Sequence, residues 1–207
     1  MSKEILDHLR NEHLNIGGLL RILERQLNSI KDGDRPDYFL MHDATRYLTY
    51  YADHYHHPFE DLIYERLVEK RGALSAAVAR IQRQHGQIAE KGSDLHESIG
   101  GIIRGSVISR ENIYCNGMEY IDLYRTHMQN EEDELFEPLS VVLTPADWMV
   151  LTSEFQWRPD PINSSEVSRE YQHLRTTITE EGAGEWPWKE CLVNSCPVCS
   201  NTENPGI

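Results

Sequence analysis

Histidines and glutamates set one helical turn apart are the residues best placed to do chemistry. His127-Met128-Gln129-Asn130-Glu131 separates an imidazole from a carboxylate by four residues, and His56-His57-Pro58-Phe59-Glu60 repeats the pattern upstream. On an α-helix such residues share a face, so each pair can present two donors to one point. Imidazole with carboxylate suits iron or manganese, with zinc possible. Two further histidines, His13 and His85, stand alone in otherwise aliphatic stripes. A single histidine in such a seam is ordinarily a satisfied core residue. Four, one per helix, two of them with a carboxylate one turn away, point instead to a metal. Burying that many ionisable groups without partners is costly, and ligation offsets the cost. The set His13, His56, Glu60, His85, His127 and Glu131 exceeds the needs of one tetrahedral zinc. It suits two metals, with Glu60 and Glu131 as bridges.

The elements that must position these residues are long amphipathic helices. The first, from about Ser2 to Lys31, carries Leu6, Leu9, Ile16, Leu20, Leu23, Leu27 and Ile30. With His13 included, the gaps alternate three and four, the seam of a bundle helix. Asp32-Gly33-Asp34-Arg35-Pro36 is a turn. The second helix runs to about Arg71 with the stripe Met41, Thr45, Leu48, Ala52, Ile63 and Leu67. At about 100° per residue, His56 falls near the centre of that stripe and His57 roughly 130° away. His56 is therefore the expected partner of Glu60. Pro58 predicts a kink or bulge, and a slip there would turn His57 inward as an extra ligand. The third helix repeats the seam with Leu74, Val78, Ile81, His85, Ile88, Gly92, Leu95 and Ile99. Ser109 is a plausible cap for the fourth, which shows Ile113, Gly117, Tyr120, Tyr124, His127 and Glu131 on one face and is expected to end at Pro138. Tyr120 and Tyr124 read as aromatic core, although Tyr124, one turn from His127, is near enough to donate to a bound oxygen species or to ligate iron. His8, His42, His54, His96 and His173 are expected at the surface.

These elements predict an all-α protein: an up-down-up-down four-helix bundle over residues 1–140. A helical extension is expected over 141–180. It starts at Thr144-Pro145-Ala146-Asp147, a cap with proline in the first turn, and continues with a helix from Glu166 to Thr179. Residues 181–207 read as an irregular tail holding Cys191, Cys196 and Cys199. The Cys196-Pro197-Val198-Cys199 turn can hold zinc or undergo redox exchange. Three thiols fall one short of a closed zinc site, which Cys115 or His173 would have to complete; a solvent-facing tail with no specific role is the expectation. With 34 acidic against 20 basic residues the net charge is −14, and no basic block offsets it, which argues against nucleic acid and anionic membrane as partners. No apolar run is long enough to span a membrane and the N-terminus lacks a signal peptide's apolar core; a cytoplasmic location is expected. Ferritin-like sites use two Glu-x-x-His turns on the main helices. Here the one such turn, Glu170 to His173, lies outside them.

The order His, His-x-x-x-Glu, His, His-x-x-x-Glu over four helices resembles the hemerythrin-like (HHE cation-binding) family over about residues 1–140. The ending Glu131-Glu132-Asp133-Glu134-Leu135-Phe136-Glu137-Pro138 is similar to the family's fourth helix. The resemblance implies a non-haem di-iron centre with an oxo or hydroxo bridge, held by His13, His56, Glu60, His85, His127 and Glu131. It implies that the centre binds dioxygen or responds to oxygen, nitric oxide, peroxide or cellular iron. Oxygen-carrying members have a second histidine one turn beyond the first on the third helix. Here that position is Ala89, and the one before His85 is Ile81. The departure leaves one iron more open, or lets His57 or a tyrosine fill in. It shifts weight from oxygen carriage towards redox chemistry and sensing. The alternatives are an enzyme decomposing peroxide or nitric oxide or repairing iron centres, and a metal buffer without turnover.

Overall fold

The computed structural model describes residues 2–155, 160, 162 and 171–180. Among them every regular element is helical. Four rods form a bundle: α1 (Ser2–Lys31); a compound rod of α2 (Tyr38–Tyr47), a π-helical segment (Leu48–His56) and α3 (His57–Lys70); α4 (Ser75–Ile103); and α5 (Arg110–Glu134). Helix α1 packs on α5 and α2, and α4 packs on α5 and α2, so each rod touches two neighbours around a central core. Short connections make successive rods antiparallel. No described helix is long and apolar enough to cross a membrane.

Close approach of the rods depends on glycines at two seam positions. A Cβ on Gly117 of α5 would stand 2.6 Å from Leu27 Cδ1 of α1, and one on Gly92 of α4 would meet Thr49 Cγ2 and Tyr120 Cε2, both at 3.1 Å. The aliphatic stripes expected from sequence are buried on all four rods, apart from Leu74, which is half-buried in the turn before α4.

The core is not continuous. One apolar cluster holds Ile16, Leu23, Ala52, Ile88, Tyr124 and Met128; a second holds Leu9, Phe59, Ile63, Ile81, Leu135 and Phe136. Each rod passes from one cluster to the other, and His13, His56 to Glu60, His85, and His127 to Glu131 lie at the crossings. The inward histidines and glutamates form a polar layer between two apolar slabs.

The second rod departs from regular α geometry upstream of Pro58. The His57 amide donates to Ala52 O, five residues back, which is the π pattern. Pro58 has no amide hydrogen to offer the His54 carbonyl and stands in the first turn of α3. The expected bulge is thus a nine-residue stretch on the N-terminal side of the proline.

The fourth rod ends earlier than Pro138. Helix α5 stops at Glu134, and Leu135 (φ −113°, ψ −32°) separates it from α6 (Phe136–Val142), which carries Pro138 in its first turn. A proline ring clashes with the carbonyl four residues back. That carbonyl belongs to Glu134, so the break falls where the clash would be.

Helix α7 (Pro145–Glu154) begins as expected. Thr144 and Asp147 form a reciprocal capping box, and Asp147 also takes Arg66 Nη2 at 2.7 Å and Lys70 Nζ at 2.8 Å, fastening α7 to α3. Asp160 is buried and accepts from Tyr47 Oη at 2.8 Å and Asn15 Nδ2 at 2.6 Å. Helix α8 (Gln172–Glu180) lies against α1 and α2, with Ile178 over Gly18. The earlier part of the helix expected from Glu166, and the tail with its three cysteines, lie outside the described residues.

Candidate metal centre

All six residues singled out from sequence are buried in the polar layer, and His57 is buried with them at 3% exposure. The wider π turn brings both His56 and His57 to the interior face, where uniform α spacing admits one. The imidazoles fall into two sets. His13 and His56 have ring centroids 5.2 Å apart. His57, His85 and His127 form the other set, with centroids 4.4 Å (57 to 85), 4.7 Å (85 to 127) and 5.5 Å (57 to 127) apart.

Both carboxylates reach both sets. Glu60 Oε1 lies 3.4 Å from His13 Nε2 and 3.4 Å from His56 Nε2, and its Oε2 lies 3.6 Å from His85 Nε2. Glu131 Oε2 lies 3.5 Å from His13 Nε2 and 3.2 Å from His127 Nε2, and its Oε1 lies 3.3 Å from His85 Nε2. Ligand atoms of His13, His56 and Glu60 converge within 4.8 Å of one another, as do those of His57, Glu60, His85 and His127. Glu60 belongs to both groups.

A second ring of acceptors fixes the imidazoles. His13 Nδ1 stands 2.8 Å from Glu132 Oε1, His56 Nδ1 2.9 Å from Glu12 Oε2, and His85 Nδ1 3.0 Å from Asp61 Oδ1. Asp53 Oδ1 lies 3.2 Å from His57 Nδ1 but makes no hydrogen bond to it. A carboxylate that accepts from Nδ1 leaves Nε2 as the lone-pair donor pointing inward, the arrangement typical of metal-bound histidine. In that tautomer the Nε2 lone pairs of His13 and His56 would face the oxygens of Glu60 and Glu131, a repulsion that a proton or a cation on Nε2 relieves. His13 Nε2, His56 Nε2, His127 Nε2, both oxygens of Glu60 and Glu131 Oε2 have no hydrogen-bond partner among the described residues. Buried polar atoms are rarely left so. Cations between the nitrogens and the oxygens would satisfy them together, and the donor set fits that occupant.

The electrostatics carry the same conflict. Burial pushes Glu60 above the ordinary carboxylate range, and the charge of Glu131 pushes it further. Burial also acts against Glu131, but His127 and His85 outweigh it and hold its carboxyl down at about 2. Burial would lower His13; the bond to Glu132 and the nearby Glu60 carboxylate overcome that and raise it to about 10. His85 is likewise raised to about 10 against its burial, by Asp61 and Glu131. Burial lowers His127 to about 3 and, with His85 and His56 beside it, takes His57 well below its usual value. His57 and His127 are therefore neutral donors across the physiological range.

Two phenols touch the layer. Tyr64 donates to Glu131 Oε1 at 2.9 Å, and Tyr124 Oη is 3.2 Å from His57 Nε2. Tyr124 and Tyr120 are fully buried, so the aromatic-core expectation describes them, with Tyr124 also at the edge of the site. Sequence reading missed Glu12, Asp53, Asp61, Glu132 and Tyr64. Two of them had a usable signal: Asp53 stands four residues before His57, and Tyr64 four after Glu60.

Four helices that deliver five imidazoles and two carboxylates to one buried layer define a metal-binding helical bundle. The family described as Hemerythrin HHE cation binding domain matches residues 4–139, and the chain belongs to that family. No curated protein and no solved structure matches the chain.

Proposed function

We propose that this protein holds a non-haem di-iron centre and engages dioxygen, nitric oxide or a peroxide there. The observation that carries the reading is the pairing of two imidazole sets, His13 with His56 and His57 with His85 and His127, across two carboxylates that each reach both. Glu60 and Glu131, each within reach of both sets, would be shared between them. With Ala89 where oxygen-carrying members have a histidine on the third rod, His57 would supply a ligand from the second rod instead.

Iron bound here would supply Lewis acidity and one-electron redox change. The chain's own residues do the rest. The Nδ1 hydrogen bonds to Glu12, Asp61 and Glu132 fix ring orientation and raise ligand basicity. The two apolar slabs exclude water from the layer. Tyr124 Oη, beside His57 Nε2, is positioned to donate a hydrogen bond to a small oxygen-containing ligand.

Metal analysis of the purified chain, followed by an anaerobic reduction and an oxygen pulse, tests the reading. Two irons per chain and a charge-transfer band on admitting oxygen are expected. A band that vanishes on deoxygenation indicates reversible binding; one that persists until reductant is added indicates oxidation. A chain that takes up zinc alone, with no oxygen-dependent band, is a metal buffer and refutes the proposal. Steady-state consumption of peroxide or nitric oxide distinguishes an enzyme from a binder.

A further inference from the structure

A hydrogen-bonded side chain leads out of the polar layer towards the surface. Glu12 Oε2 stands 2.9 Å from His56 Nδ1, and Glu12 Oε1 accepts the phenol of Tyr51 at 2.5 Å. From buried Tyr51 the rings continue in contact. The Tyr51 and Tyr55 centroids are 5.8 Å apart, and those of Tyr55 and Tyr50 6.2 Å. Tyr55 is half-buried and Tyr50 is 53% exposed. In the other direction Tyr47 lies 5.3 Å from Tyr51, and Tyr171 5.8 Å from Tyr47, but both are buried. Tyr124, the phenol beside His57, contacts Tyr120, which is also fully buried. Separations of this size are ordinary for packed aromatic side chains. Core packing, however, does not require a buried phenol bonded to the carboxylate that orients an inward histidine, nor an exposed phenol at the end of the series.

We propose that Tyr51, Tyr55 and Tyr50 conduct single electrons from a surface site at Tyr50 to the metal centre, where they reduce it after oxidation by a hydroperoxide. The donor is a small one-electron reductant of the ascorbate or phenol class. This inference rests on the redox reading of the site given above. Hydrogen peroxide takes up two electrons and two protons and leaves as two waters. Tyr51 gives one electron to the oxidised centre, and its phenolic proton passes along the 2.5 Å bond to Glu12 Oε1. Tyr55 then refills Tyr51, which recovers its proton from Glu12. Tyr50 refills Tyr55, and the external donor refills Tyr50; half-buried Tyr55 and exposed Tyr50 each release the phenolic proton to water on oxidation and regain one on reduction. The two protons that peroxide consumes are drawn from water and replaced by those the donors release. Two donor molecules, each losing one electron and one proton, balance one peroxide.

The test uses the full chain loaded with iron, hydrogen peroxide and a nitroso spin trap, with the trapped residue mapped by mass spectrometry. Iron content and the peroxide-induced absorption change are recorded on the same samples. Trap adduct on Tyr50 is expected, suppressed by ascorbate and absent without iron. Tyr55→Phe, which leaves the Glu12 bond intact, should lose the adduct while keeping iron and the absorption change. Tyr51→Phe should lose it also, and Tyr114→Phe, on α5 beneath Lys31 and off the series, should keep it. An adduct undiminished in Tyr55→Phe, or formed equally without iron, overturns the route. Normal iron and a normal absorption change with no adduct at Tyr50 overturn the route alone. Failure to bind iron overturns the functional reading as well, and the metal analysis separates the two cases.

Discussion

His57 stacks on His85 with ring centroids 4.4 Å apart and planes 17° from parallel. The two come from different rods, and the contact aligns them in the three-histidine set. His57→Ala is therefore expected to empty that half of the site preferentially. Bound metal should fall by about half while the His13, His56 and Glu60 group keeps its share. Metal stoichiometry of the purified variant checks this, and unchanged stoichiometry would place His57 outside the ligand set.

Glu131 reaches both sets, so Glu131→Ala should remove most of the metal and leave a helical fold. Metal bound to the native state alone stabilises it by mass action. Chelation of the wild-type chain should accordingly lower its melting temperature, whereas Glu131→Ala should melt at the same temperature with and without chelator. Circular dichroism melts with parallel metal analysis measure both; full metal retention in the variant would contradict the assignment.

Glu12 touches no metal position but accepts from His56 Nδ1. Glu12→Gln keeps the shape and removes the charge that orients the ring. Loss of such an outer partner costs about 10–100-fold in metal affinity. Competition against a chelator of known affinity should show that loss with the helical signal intact.

Asp147 gives an acid-sensitive fastening. Its bonds to Lys70, Thr144 and Arg66 hold its carboxyl far below the ordinary range. A depressed folded value means that its stabilisation is complete above the unfolded carboxylate's pKa of about 4 and is lost as the pH falls below it. Asp147→Asn should melt lower than wild type at neutral pH, and the gap should close in acid. Melts over a pH series test the sign; a gap that widens in acid would be incompatible with this role.

Much of this arrangement was legible because bundle seams have a fixed rhythm. His13 and His85 fill positions where the alternation of three and four demands an inward residue, and the structure buries both. His57 was only partly legible, because a wheel drawn at constant α pitch cannot place residues across a π segment. The outer carboxylates were less legible still. Glu12 and Asp61 look like ordinary charges of amphipathic helices: Glu12 meets His8 one turn before it at 3.0 Å, but its bond to His56, like that of Asp61 to His85, crosses to another rod. Pro138 was misplaced as a terminus by counting to the ring itself, when the clash acts on the carbonyl of Glu134.

The π segment also determines how the site can change. One surplus residue between Leu48 and His56 lets consecutive histidines serve opposite halves of one layer. A single-codon deletion there would restore uniform pitch and leave room for one of the two. The number of imidazoles around the metals can thus be altered by an insertion or a deletion, with no exchange of one side chain for another.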